Sequence, residues 1–203
     1  MRLTFCRCRY HESEGDILEG ALFESCFPQY YQIMRTHWAK MYRLDVIKKM
    51  NLSNCNIIPY GSDTLFVREA LLMSNRVGIM PEALYRYYVY PEVRDYNVVK
   101  GRTNAPRVLL ERDISFLLQK CGSISSNTIE WLINVYLQEN IDVFNLVLSN
   151  RDDSRQKIED IYFVLSSTPC RMAMRLGARG KYTYLCDWLL HQNILEDEQI
   201  FNK

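Results

Sequence analysis

Asp63 follows Gly61-Ser62 and precedes an apolar-periodic run that starts at Thr64, which sets its carboxylate at the head of a predicted helix. A carboxylate on a rigid mount is suited to take a proton from a hydroxyl within hydrogen-bond reach. The helix dipole favours negative charge there, and an Asp or Ser before a helix is usually an N-cap, so position alone favours the capping role. Upstream, Trp38, Lys40 and Tyr42 offer a flat ring, an ammonium and a phenol at alternate positions. Downstream, Tyr85, Tyr87, Tyr88 and Tyr90 supply faces and hydroxyls that line a groove or simply pack on a strand.

Other reactive side chains point to little chemistry. Cys6 and Cys8 form a C-x-C, which holds a metal when a second pair or histidines follow at ligand spacing, and His11, His37 and His191 do not supply that pattern. Residues two apart on a strand share a face, the preferred reading of the pair. The seven cysteines are odd in number and scattered, as expected of a reducing, cytoplasmic setting. A formal net charge of +1 argues against a nucleic-acid binder. Arg171, Arg175, Arg179 and Lys181, mixed with Met172, Met174 and Leu176, read as a solvated helix face in preference to a lipid-headgroup site. No apolar run approaches bilayer length, so any membrane contact is expected to be peripheral, at the inner face.

These residues need elements to hold them. The 203 residues, 48% hydrophobic and 24% charged, are enough to bury a core. Arg2 to Tyr10 alternates with strand period, Glu12 to Gly20 reads as an exposed turn, and Leu22-Phe23 to Ile33-Met34 as a short helix interrupted at Pro28. Trp38, Met41, Tyr42 and Val46 recur at helical spacing, predicting a helix from Trp38 to Lys49, ended by Asn51-Leu52-Ser53-Asn54. Asn56-Ile57-Ile58 reads as extended, Pro59-Tyr60-Gly61 as a bend, and Thr64 to Ser74 as a helix. Val77 to Met80 and Leu84 to Tyr90 read as strands around a Pro81-Glu82 turn.

Past the polar stretch Glu92 to Asn104 the pattern is helical. Val108, Leu110, Ile114, Leu117 and Cys121 line one predicted face, with Gly122 as its C-cap. Asn127 with Glu130 suggests a capping box for a helix through Trp131, Val135, Phe144 and Val147. Asp152-Asp153 suggests the cap of a third helix, with Ile158, Ile161, Tyr162 and Leu165, that stops before Pro169. A last helix is predicted from Thr183 to Ile194.

Three segments in order are Trp38-Ala39-Lys40-Met41-Tyr42-Arg43, Gly61-Ser62-Asp63-Thr64-Leu65-Phe66 and Pro81-Glu82-Ala83-Leu84-Tyr85-Arg86-Tyr87-Tyr88. Together they resemble the W-x-K-x-Y helix, the acidic E-D-x-x-F catalytic segment and the closing E-x-L-Y-x-Y strand of bacterial family 2 glycosyltransferases of the GT-A fold. The resemblance implies inverting transfer of a sugar from a nucleotide-sugar to a glycan acceptor, with a carboxylate taking the proton of the attacking hydroxyl. Asp63 matches the base, and Trp38, Lys40, Tyr42, Ser62 and Tyr88 match substrate-binding positions. Ser62 stands where that family usually carries Glu.

The resemblance also sets expectations for the whole chain. The family's complete members use a divalent metal, Mn or Mg, held by a D-x-D motif in a nucleotide-binding half. No such motif precedes Trp38; Asp16 and Asp45 are isolated, and no metal is assigned to this chain. The expected architecture is α/β but mostly α. Residues 1–104 would form the C-terminal half of a GT-A-like domain, a partial sheet with flanking helices, and residues 105–203 a helical appendage. Such a chain would be an acceptor-side half, inactive alone, partnered by a missing N-terminal half or by a second copy. The rival expectation is a non-catalytic interaction or dimerisation module derived from such an enzyme.

Overall fold

The structure, a computed structural model, describes residues 17–53, 60–80, 85, 102–149, 154–167 and 170–171. The predicted strands at 2–10, 56–58 and, except for Tyr85, 84–90 lie outside these residues. So do the Pro81-Glu82 turn, most of the stretch 92–104, Asp152-Asp153 and the helix predicted from Thr183.

The described residues begin with β1 (Ile17–Leu18), whose Leu18 is buried. This corrects the reading of the segment ending at Gly20 as wholly exposed turn. Helix α1 (Ala21–Tyr30) buries Phe23, Phe27 and Tyr30 at spacings that share one face, and the burial continues through Tyr31 to Met34 in a 3-10 turn, Ile33–Arg35. The helix also runs through Pro28 instead of breaking there. A proline inside a helix leaves the Glu24 carbonyl without its usual N–H and costs about 3 kcal/mol. Each buried aromatic of this stretch contributes about 2 kcal/mol, which offsets that loss.

The helix predicted from Trp38 starts only at Leu44. Helix α2 is Leu44–Lys49, and residues 37–43 form a bent loop with Ala39 in the left-handed region at φ 57°. Trp38, Lys40 and Tyr42 are therefore loop residues. Their spacing mimics a helix face, but Met41 within it is 91% exposed, while Tyr42 and Val46 pack from loop and helix α2 with Met50 and Ala70. Helix α3 (Ser62–Leu72) follows Gly61, whose left-handed φ of 96° turns the chain into it two residues earlier than predicted. Strand β2 (Val77–Gly78) pairs antiparallel with β1, Ile17 opposite Gly78 and Leu18 opposite Val77.

Helix α4 (Ala105–Cys121) ends as predicted at Gly122, in the left-handed region with its N–H on the Leu118 carbonyl at 2.9 Å. Its buried face centres on Leu109, Asp113, Phe116 and Leu117; of the predicted stripe, Leu110 and Leu117 are buried. A charged residue inside the face is what hid it from an apolar count. Helix α5 (Ser126–Ser149) is capped by Ser125, whose Oγ accepts the Thr128 N–H at 3.3 Å, so the predicted capping box from Asn127 does not form. Helix α6 (Ser154–Ser166) stops before Pro169 and buries Ile161, Val164 and Leu165.

Helix α4 packs against α1, α3 and α5, and α5 also packs against α1 and α6. One core joins Phe23, Phe27 and Val67 to Phe116, Leu132 and Phe144, drawing on residues from both sides of the boundary predicted at 104/105. Edge-on ring contacts such as Tyr31 against Trp131, at 4.9 Å between centroids, hold α1 to α5. Among the described residues the fold is mostly helical, with one small two-stranded sheet.

Candidate functional site

Two hydrogen bonds dock α3 on the 3-10 turn. Thr64 Oγ1 donates to the Arg35 carbonyl at 3.1 Å, and Arg68 Nη1 donates to the Met34 carbonyl at 2.9 Å. Arg68 is buried, with Nε on the Asp113 carboxylate of α4 and its guanidinium 4.8 Å from the Phe27 ring centre, 5.3 Å from that of Phe116 and 5.5 Å from that of Tyr31. Arg35 pairs with Glu139 of α5. Burial pushes the Glu139 carboxyl up, and the Arg35 charge offsets this only in part. These anchors decide where the loop that leaves the 3-10 turn can run.

That loop brings His37 to α3. Its Nδ1 lies 3.0 Å from Asp63 Oδ2, and its ring stands nearly edge-on to Phe66, 6.4 Å away. The His37 and Asp63 side chains are 57% and 46% exposed, so both are open to a solute. Asp63 is the second residue of α3, within the first turn where the dipole favours a carboxylate. Lys40 curls back so that Nζ donates to the carbonyls of Thr36 and Trp38. Tyr42 donates its hydroxyl to the His37 carbonyl at 3.3 Å and sets its ring edge-on to Phe66 at 5.6 Å. The Trp38 ring stacks on Tyr85, 5.5 Å between centroids with 21° between planes. Ser62 is half-buried beside Asp63, and Tyr88 lies outside the described residues.

The electrostatics follow from this packing. Burial, with the Arg68 charge adding to it, lowers Lys40 to about 8 against the opposing pull of Asp63. Burial, with the Asp63 charge adding to it, raises Tyr42 to about 12, so the phenol keeps its proton at neutral pH. The surface thus presents a carboxylate and an imidazole in contact, a fixed phenol and ammonium bracing the loop behind them, and a stacked pair of aromatic rings.

The structure therefore gathers Trp38, Lys40, Tyr42, Ser62 and Asp63 around the entrance to α3, with Tyr85 joined through Trp38. Sequence reasoning weighed His37 only as a metal ligand and missed its contact with Asp63; adjacency to Trp38 was the one available signal. A shallow groove of about 90 Å³ between α3 and α4 is lined by Arg68, Glu69, Arg112 and Gln119 among others, and none of the sequence-derived residues lines it. Asp63 and His37 lie, among the described residues, on an exposed surface. Among the described residues, no group of three or more His, Cys, Asp or Glu side chains is placed to hold a metal ion, and no helix is long and apolar enough to cross a membrane. Compared with protein-family models, curated proteins and solved structures, the chain shows no significant match in any of the three. The fold defines a mostly helical α/β protein.

Proposed function

We propose that this chain is glycosyltransferase-related and supplies the acceptor side of an inverting, family 2-like transfer of a sugar from a nucleotide-sugar to a glycan. One observation carries the reading: parts of all three segments that resemble that family, far apart in sequence, meet at one open surface. His37, beside the first segment, touches Asp63 of the second, Tyr42 within the first packs on Phe66 of the second, and Trp38 stacks on Tyr85 of the third. A shared site requires such a meeting, whereas three unrelated stretches need not touch.

In this reading an acceptor hydroxyl lies against the Asp63 pair and loses its proton there as its oxygen attacks the anomeric carbon. The stacked Trp38 and Tyr85 rings offer a flat apolar surface to the C–H face of a sugar. Donor binding is not assigned to the described residues. The test is to titrate a panel of hexose and N-acetylhexosamine oligosaccharides into the nitrogen-15-labelled chain and follow the Trp38 indole N–H. Saturable shifts, weakened in Tyr85→Ala with the circular dichroism unchanged, are expected; an indole signal that no saccharide moves overturns the proposal.

A further inference from the structure

We propose that the proton acceptor at this surface is Nε2 of His37, with Asp63 as the group that orients the ring. The inference deepens the sugar-transfer reading and rests on it. Asp63 Oδ2 lies within hydrogen-bond distance of His37 Nδ1, so a neutral imidazole in this contact carries its proton on Nδ1 and leaves the lone pair on Nε2. That oxygen of Asp63 faces Nδ1, and among the described residues Nε2 has no polar partner. An imidazole is also a stronger base than a carboxylate and so closer to what proton removal at neutral pH demands.

One ring contact and three hydrogen bonds to the local backbone fix the position of His37. Phe66 of α3 meets it nearly edge-on, Tyr42 ties its backbone carbonyl, and Lys40 binds the carbonyls of Thr36 and Trp38 on either side of it. Among the described residues, the charged and titratable groups around it are Asp63 of α3 and Lys40 and Tyr42 of its own loop, with buried Arg68 of α3 acting on Lys40. Of these only Asp63 is a carboxylate, and it is the one in contact with the ring.

The step balances without further reagents. The acceptor O–H gives its proton to His37 Nε2, and the freed oxygen pair forms the bond to the anomeric carbon. The anomeric C–O bond to the nucleotide breaks with its electrons on the leaving nucleoside diphosphate. The imidazolium then returns its proton to water.

The experiment uses the full chain labelled with nitrogen-15 histidine, read by long-range proton–nitrogen spectra at mildly alkaline pH. We expect His37 to hold its proton on Nδ1 with Nε2 bare, and Asp63→Ala to shift it toward the Nε2-protonated form that a free neutral imidazole prefers. A wild-type ring protonated on Nε2, or on both nitrogens, overturns the assignment, and this result stands even if Asp63→Ala fails to fold. Saccharide that shifts the Trp38 indole is also expected to move the His37 Nε2 resonance. Movement of Trp38 with Nε2 unmoved overturns the role of His37 and leaves the sugar-transfer reading intact. Loss of every saccharide effect overturns that reading, and with it the proton-transfer role, whatever the tautomer.

Discussion

Lys40 shows how a single side chain here serves geometry at an electrostatic cost. Its ammonium is drawn out of water to bind the carbonyls of Thr36 and Trp38, and burial lowers it from 10.5 to about 8. With carbon-13 reductive methylation we expect the Lys40 methyl signal to titrate with a midpoint about 8; a midpoint at 10.5 would contradict the packing. The sign for stability follows from linkage. The folded state holds the Lys40 proton less tightly than the unfolded chain, so its contribution is full above 10.5 and is lost as pH falls through about 8. Urea unfolding of the wild type and of Lys40→Met should therefore diverge in favour of the wild type as pH rises across that window. Asp63 belongs to the same scale: its type and helix position were legible, but its histidine partner was not, because nothing local ties residue 37 to residue 63.

Helix ends separate what local chemistry decides from what neighbours decide. Gly122 was legible because a C-cap depends on its own backbone: φ is 81°, and a Cβ built there meets nothing within 4 Å. Gly122→Ala should cost about 1 kcal/mol in urea unfolding, a purely conformational penalty, since the new methyl has open space. The start of α5 was misread because its cap is completed from another helix. The Glu24 carboxylate of α1 accepts both the N–H of Ser125, at 3.1 Å, and its hydroxyl, at 2.8 Å. Hydrogen bonds from the Thr128 and Ser125 side chains and the Ser125 backbone hold Glu24 below its ordinary range. A carboxyl lowered in the folded state stabilises above its unfolded value and loses that contribution as pH falls through the folded value. Glu24→Gln should accordingly flatten the acid limb of the stability profile, and an unchanged limb would show that this tie is idle.

Across the molecule, the buried Arg68–Asp113 pair joins α3 to α4 and, through the Met34 carbonyl, fixes the turn from which the His37 loop departs. Removing one partner strands the other charge, so Asp113→Ala should lose about 3 kcal/mol, whereas the Arg68→Met, Asp113→Leu double variant should recover most of it. If the double variant is no more stable than the single one, the aromatic ring contacts of Arg68 matter more than its ion pair. The sequence alone determined the mostly helical character, the segment from Ala105 to Gly122, the stop of α6 before Pro169 and the residue types available for proton transfer, because propensity, periodicity and capping act over one or two turns. Only the tertiary structure decided that Trp38 to Tyr42 is a loop, that a charge sits inside the face of α4 and that His37 meets Asp63. Those outcomes depend on which distant surface a side chain finds, and spacing along a chain reports what a residue can bury without saying what it will be buried against.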